Sequence, residues 1–215
     1  CLGLSGELIA LGREEFDRRL AAAITESLGS EAIDRLWVHY CELARWNHRL
    51  SLIGPGTLEE PIERHYAESL AARELLRHSD RVVVDVGSGA GFPGWVLAAA
   101  RPELEMTLVE SRQRKWSFLA QVSQKATLPC NCLNARVTSA LPEGFPPKVD
   151  LVLIRAVRLG GKELSALVSR LSESGRFLLW SGERPGEGIE GLEAIRSVPI
   201  KGSRSRRIVE WVPKG

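Results

Sequence analysis

The sequence predicts a doubly wound α/β fold on a mostly parallel sheet, preceded by an N-terminal helical extension. Three observations carry that expectation. From residue 81 onward, short β-branched runs alternate with helical stretches, the order that places helices on both faces of one sheet. The run Val82-Val83-Val84-Asp85-Val86 is apolar but for one acid and ends in a glycine cluster, as a buried parallel strand does. The first 80 residues have no such run, and their apolar residues recur at helical spacing. The boundaries drawn are 1–80 for the extension and 81–215 for the sheet-bearing domain.

Residues 13–47 read as helical, with Phe16, Leu20, Ala23, Ile24 and Leu28 on one face. Gly29 interrupts them, and Ser30 is the expected N-cap of a second helix. Gly54-Pro55-Gly56 breaks the chain before a third helix expected over 59–77. The first strand is followed by a helix over 93–100 opening on Pro93, a strand over 106–110 and a helix over 112–124. Further strands are expected over 130–135, 149–154, 176–180 and 206–212, with one more helix over 162–171.

Composition excludes several function classes. Hydrophobic residues make up 44% and charged residues 26%, and no apolar run reaches membrane-spanning length. Glu7, Arg13, Glu14 and Glu15 interrupt the N-terminus too early for a secretory signal, although Cys1 begins the chain and Met106 is its only methionine, so the true start is expected upstream. A net charge of +2 does not describe a strongly cationic nucleic-acid binder, and only Lys201, Arg204, Arg206 and Arg207 form a local basic run. Cys130 and Cys132 are separated by one residue, not the two of a zinc or redox pair, and are read with Cys1 and Cys41 as free thiols, the close pair on opposite strand faces. His39, His48 and His78 are scattered and suggest no metal cluster. Trp37 and Trp46 are expected between the extension and the sheet, and Trp95 and Trp116 as packing residues on the two helices beside the first strands.

The most informative segment is Asp85-Val86-Gly87-Ser88-Gly89-Ala90-Gly91-Phe92-Pro93-Gly94, which leaves a strand and opens a helix. Glycines let such a loop turn sharply and approach a ligand closely, and ligands of these folds bind outside the carboxyl ends of the strands. Gly89, Gly91 and Gly94 satisfy the dinucleotide pattern, and Glu110 stands where an acid accepts ribose hydroxyls. That acid suits either NAD or S-adenosylmethionine, since both carry an adenosine ribose. Asp85, placed to order the loop or meet a methionine ammonium, and the extra Gly87 favour the methyl donor.

The same segment resembles the RsmG (GidB) family of bacterial enzymes, which methylate N7 of a guanine in 16S ribosomal RNA. Other similarities follow in order: Arg45-Trp46-Asn47, the Arg64-His65-Tyr66-Ala67-Glu68-Ser69-Leu70 motif, Glu110-Ser111 with Arg114-Lys115, Arg136, and Ile154-Arg155-Ala156. The resemblance spans roughly residues 35–210. It implies a Rossmann-like S-adenosylmethionine-dependent methyltransferase fold. It implies a cofactor held by Gly87, Phe92, the backbone near Val137 and Thr138, and Arg155, beside Gly89 and Glu110 of the loop reading, with Arg64, His65, Arg136 and Arg206 toward the RNA. The expected partner is 16S ribosomal RNA or the small subunit, in the cytoplasm and without metal, with a monomer favoured and the oligomeric state left open. The chain departs from the family pattern at Ser51-Leu52-Ile53, Glu68, Thr138 and Ser181, so a non-catalytic ribosome-binding relative is the alternative. Guanine N7 offers a lone pair and has no proton to lose, so no general base is expected and positioning carries the chemistry.

Overall fold

The computed structural model describes residues 8, 10–182 and 189–214. Cys1 and Glu7 lie outside them. Two helices open the chain, α1 (Arg13–Ala23) and α2 (Ser30–Leu50). Ser30 is the first helical residue and not the cap; Gly29 holds that position without a side-chain bond. The expected third helix is irregular: Ile62–Ala67 is π-helical, Glu68–Leu70 (α3) is α-helical and Ala71–Leu75 is 3₁₀.

The remaining elements are β1 (Val82–Val86), α4 (Gly94–Ala100), β2 (Glu105–Val109), α5 (Gln113–Lys125), β3 (Asn131–Leu133), β4 (Val149–Arg155), α6 (Gly161–Val168), β5 (Leu171–Ser181), β6 (Leu192–Pro199) and β7 (Arg207–Pro213). Pro93 precedes α4 as its cap and does not form its first turn. The strand β6 was not expected: five of its residues in a row are exposed, so it has no period-two signal.

The seven strands run in the order β3-β2-β1-β4-β5-β7-β6. Neighbours are parallel from β3 through β5, and β7 is antiparallel to both β5 and β6. The chain works outward from β1 to β3 and then resumes at β4 on the other side of β1. The order therefore reverses between β1 and β4, and a crevice opens at their carboxyl ends.

Each sheet face carries its own core. Val84, Val86, Val152, Ile154, Phe177 and Val209 pack with Leu167 of α6. On the other face, Val83, Leu108, Leu151, Leu153, Leu178 and Ile208 join Trp95 and Leu119. Phe16, Leu20, Leu36, Tyr40 and Tyr66 of the extension belong to that same cluster. The boundary at residue 80 thus separates topologies but not cores. Trp37 and Trp46 are only partly buried: Trp37 stacks with Tyr40 inside the extension, and Arg45 and Arg49 lie over the Trp46 ring. Trp95 is fully buried and donates to Ser123 Oγ, while Trp116 donates to the Cys132 carbonyl. Cys130 and Cys132 both pack against the first cluster; residues two apart on a strand share a face, so the expected separation was wrong.

Where the chain enters β1, Arg176 of β5 is buried completely. Its guanidinium donates to Asp80 Oδ1 and Oδ2 at 2.6 and 2.9 Å and to the Leu75 carbonyl at 2.7 Å. Glu210 of β7 lies 2.8 Å from its Nε and also accepts from Arg77 at 2.6 Å. Two acids answer two cations, and the cluster ties the extension's end to β5 and β7.

Candidate functional site

The crevice between β1 and β4 is a cavity of about 630 Å³. The glycine loop forms its floor, and the loop's shape comes from bonds to neighbouring strand ends. Gly87 and Ser88 donate to the Val109 carbonyl at 2.8 and 3.1 Å. Asp85 Oδ2 accepts from the Gly94 amide at 2.9 Å, and Ser88 Oγ donates to the Asp85 carbonyl. Asp85 therefore orders the loop, one of its two expected roles. Burial pushes its carboxyl up to about 7, against the Gly94 amide, the Ser88 hydroxyl and the Arg155 charge.

Gly87 stands at φ +74°, and a Cβ there would fall 2.3 Å from Val157 Cγ2. Any side chain there would be strained by that φ and would force the Val157 side chain to move. Glu110, just after β2, accepts from Gly89 N at 2.9 Å and from Arg112 N at 2.6 Å. Each carboxylate oxygen has a second lone pair, so the buried acid retains accepting capacity for a ligand.

Across the cavity the wall comes from the extension. Asn47 Oδ1 accepts from Ile53 N at 2.9 Å, and this bond shapes the turn that brings Leu52 and Ile53 to the cavity. Phe92 is buried, with His39 and Tyr66 edge-on to it and His65 stacked at 4.8 Å. His39 reaches from α2 to the Ala90 carbonyl of the glycine loop at 2.8 Å. Burial lowers it to about 4.

Arg155 ends β4. Its Nη2 donates to the Arg64 carbonyl at 2.7 Å and to Glu68 Oε2 at 3.0 Å, while its buried Nη1 has no partner. Burial lowers its pKa to about 10. Glu68 is also buried and is met by Arg64 Nε at 3.3 Å and by Arg206. One acid thus answers three arginines. The same Glu68 carbonyl accepts from Trp180.

Of the residues expected to hold the cofactor, Gly87, Gly89, Phe92, Glu110, Val137 and Arg155 line the cavity. Thr138 does not; it is exposed, and its hydroxyl donates to Ala140 O at 2.7 Å within its own turn. Of the residues expected toward the RNA, His65 and Arg136 line the cavity, and Arg64 and Arg206 stand behind it at Glu68. Sequence reasoning missed Lys115, Arg158 and Glu163, which also line it. Lys115 was visible within the Arg114-Lys115 pair; Nζ donates to the Leu52 carbonyl at 3.4 Å, and burial lowers its pKa. Arg158 follows a strand on the ligand edge, a positional cue that was available. Among the described residues no group of three or more His, Cys, Asp or Glu could hold a metal ion, and no helix is long and apolar enough to cross a membrane.

The comparisons with known proteins point to one family. The family model described as rRNA small subunit methyltransferase G (GidB) matches residues 33–206. Proteins named ribosomal RNA small subunit methyltransferase G are similar at 35% identity in Paramagnetospirillum magneticum, over 71% of this chain and 72% of that one. The Nitrosomonas europaea protein is 38% identical over 79% and 82%, and that of Mycolicibacterium paratuberculosis 31% over 90% and 72%. Among solved structures, mitomycin 7-O-methyltransferase MmcR superposes with a TM-score of 0.58 at 16% identity, covering 94% of this chain and 67% of its own. A SAM-dependent methyltransferase from Aquifex aeolicus gives 0.52 at 16%, over 75% and 94%. At such identities the structural likeness speaks to the fold alone.

Proposed function

The chain belongs to the rRNA small subunit methyltransferase G family, and from that premise we propose that it transfers a methyl group from S-adenosylmethionine to N7 of a guanine in 16S ribosomal RNA. The observation that carries the reading is the glycine cradle between β1 and β4, into which a Cβ at Gly87 would intrude. The donor set fits the cofactor: Glu110 retains acceptor capacity for ribose hydroxyls, Gly87 and Gly89 leave the backbone open, and Phe92 and Val137 supply apolar wall.

When bound, S-adenosylmethionine supplies a methyl group already activated on a sulfonium. The residues of this chain have only to place the base and exclude water. Leu52, Ile53 and Phe92 keep one side of the cavity apolar. Arg64, Arg136 and Arg206 are suited to the phosphates of the RNA, which confer affinity but no sequence choice. Arg155, with one buried donor unmet, sits between the cofactor loop and that basic edge. The expected site of action is the cytoplasm, on the RNA or the small subunit, with the chain as a monomer.

Thermal stabilisation by S-adenosylmethionine and S-adenosylhomocysteine tests the first step, with NAD as control. Ligands of the native state raise stability by mass action. A clear shift, absent with NAD and absent in Gly87→Trp, is the expected result; no shift at millimolar ligand would sink the cofactor assignment. Methyl transfer to unmethylated small-subunit RNA, mapped to the N7 position, tests the second. Cofactor binding without transfer would favour the non-catalytic relative.

A further inference from the structure

Two histidines flank Phe92, and their partners fix the tautomer of each. His39 is fully buried. Its Nε2 faces the Ala90 carbonyl, which can only accept, so the proton sits on Nε2. Its Nδ1, 2.6 Å from the Tyr66 hydroxyl, then accepts from it. Both nitrogens of His39 are used, and the residue is structural.

His65 differs by one bond. Its Nε2 lies 2.8 Å from Thr57 Oγ1. The threonine hydroxyl has a single proton, and Oγ1 also lies 2.9 Å from the Gly54 carbonyl oxygen, which can only accept. Both contacts are satisfied when Thr57 donates to Gly54 and accepts from His65 Nε2–H. Burial and the charges of Arg155 and Arg64 hold the ring neutral, at about 3. A neutral ring protonated at Nε2 keeps a lone pair on Nδ1. That ring lines the cavity, and Nδ1 has no hydrogen-bond partner among the described residues.

The charges around it select what Nδ1 can accept from. Arg64, Arg155 and Arg206 outnumber Glu68, so a cationic donor such as an ammonium group is disfavoured beside His65. A neutral N–H on a ligand that also carries phosphates is favoured. Resting on the function proposed above, we propose that His65 Nδ1 accepts a hydrogen bond from N1–H or the 2-amino group of the target guanine, the edge of the base far from N7. His65 is then a specificity-determining residue, and Thr57 a positioning residue that fixes its tautomer. An adenine would set its N1 lone pair against that of His65.

The test is methyl transfer to unmethylated small-subunit RNA carrying guanine or adenine at the target position, by the wild-type chain and by His65→Phe, His65→Gln and Thr57→Val. His65→Phe keeps a ring against Phe92 and removes both nitrogens. It is expected to lower kcat/KM for the guanine RNA by about 10- to 100-fold, the range for leaving a buried donor unmet, and to lower guanine-over-adenine discrimination by the same factor. S-adenosylhomocysteine affinity is expected to stay within about twofold, as for a contact the cofactor does not make. His65→Gln, whose Oε1 accepts, recovers part of the loss, and Thr57→Val loses less than His65→Phe because the ring is freed but retained. Unchanged kcat/KM and discrimination in His65→Phe would overturn the inference and leave the proposed function standing. So would a loss confined to S-adenosylhomocysteine affinity, which assigns the acceptor to the cofactor. A wild-type chain that binds the cofactor and methylates no small-subunit RNA would overturn both.

Discussion

Two buried ionic clusters brace the same sheet, one where the chain enters β1 and one at the carboxyl end of β4, and they differ in balance. At the first, Asp80 and Glu210 answer Arg176 and Arg77. At the second, Glu68 is the acid in contact with Arg64, Arg155 and Arg206, Asp85 and Glu60 act on Arg155 and Arg206 from farther away, and Arg155 Nη1 is buried without a hydrogen-bond partner. The first cluster draws both signs of charge from the fold, with Arg176 Nε paired to Glu210 by charge and not by a hydrogen bond. The second leaves an excess of arginine in contact at the edge of the cavity, which suits the RNA phosphates proposed to dock there. The first cluster is expected to hold the molecule together, and the second is suited to the proposed RNA substrate despite a net charge of only +2.

The same substitution at each cluster breaks or sharpens this contrast. Arg176→Met leaves Asp80 and Glu210 buried with a reduced set of partners and is expected to cost about 3–5 kcal/mol of stability; chemical denaturation giving less than about 1 kcal/mol would erase the distinction. Arg155→Met leaves Glu68 with two arginines and is expected to cost less than Arg176→Met, because the buried acid stays paired. Its effect falls on methyl transfer, which drops about 100-fold in steady-state assays, the scale for removing one charge-stabilising donor.

Acid sensitivity is the third test, because the unbalanced cluster helps to keep His65 neutral. Between pH of about 4 and 6.5 the unfolded chain protonates His39 and His65 while the folded chain does not. Asp85 works in the opposite sense: raised to about 7, it binds a proton in the folded state that the unfolded chain has lost. The unfolded state therefore holds one more proton in this window. Stability rises with pH by about 1.4 kcal/mol per unit and is lost as pH falls from about 6.5. His65→Gln, with only His39 left to oppose Asp85, is expected to flatten that slope in pH-dependent melts; an unchanged slope would mean that His65 is not held neutral. The smallest effect is on salt dependence. Arg64→Gln and Arg206→Gln are each expected to reduce the slope of log affinity for RNA against log salt by about 0.7–0.9, the value of one phosphate contact. An unchanged slope would remove that arginine from the RNA surface.

The sheet was legible because its strands are buried on both faces and read as continuous apolar runs, with β1 the plainest. The edge strand β6 was not, since Glu193 through Ser197 are all exposed and no face is marked out in its residues. The glycine loop and Glu110 were legible because they are local in sequence. The roles of His39 and Glu68 were not: His39 meets the loop 51 residues away, and Glu68 gathers Arg155 and Arg206 from β4 and the chain before β7. Thr138 was placed in the cofactor wall by resemblance alone, and a turn closed by its own hydroxyl turns it outward.

The core shared by the extension and the sheet has a consequence for how the chain comes to be made. Phe16 and Leu36 lie ahead of Trp95 and Leu119, which belong to the same apolar cluster, and α2 packs directly against α4 and α5. During synthesis the helices of the extension keep part of their apolar faces uncovered until α4 and α5 have followed.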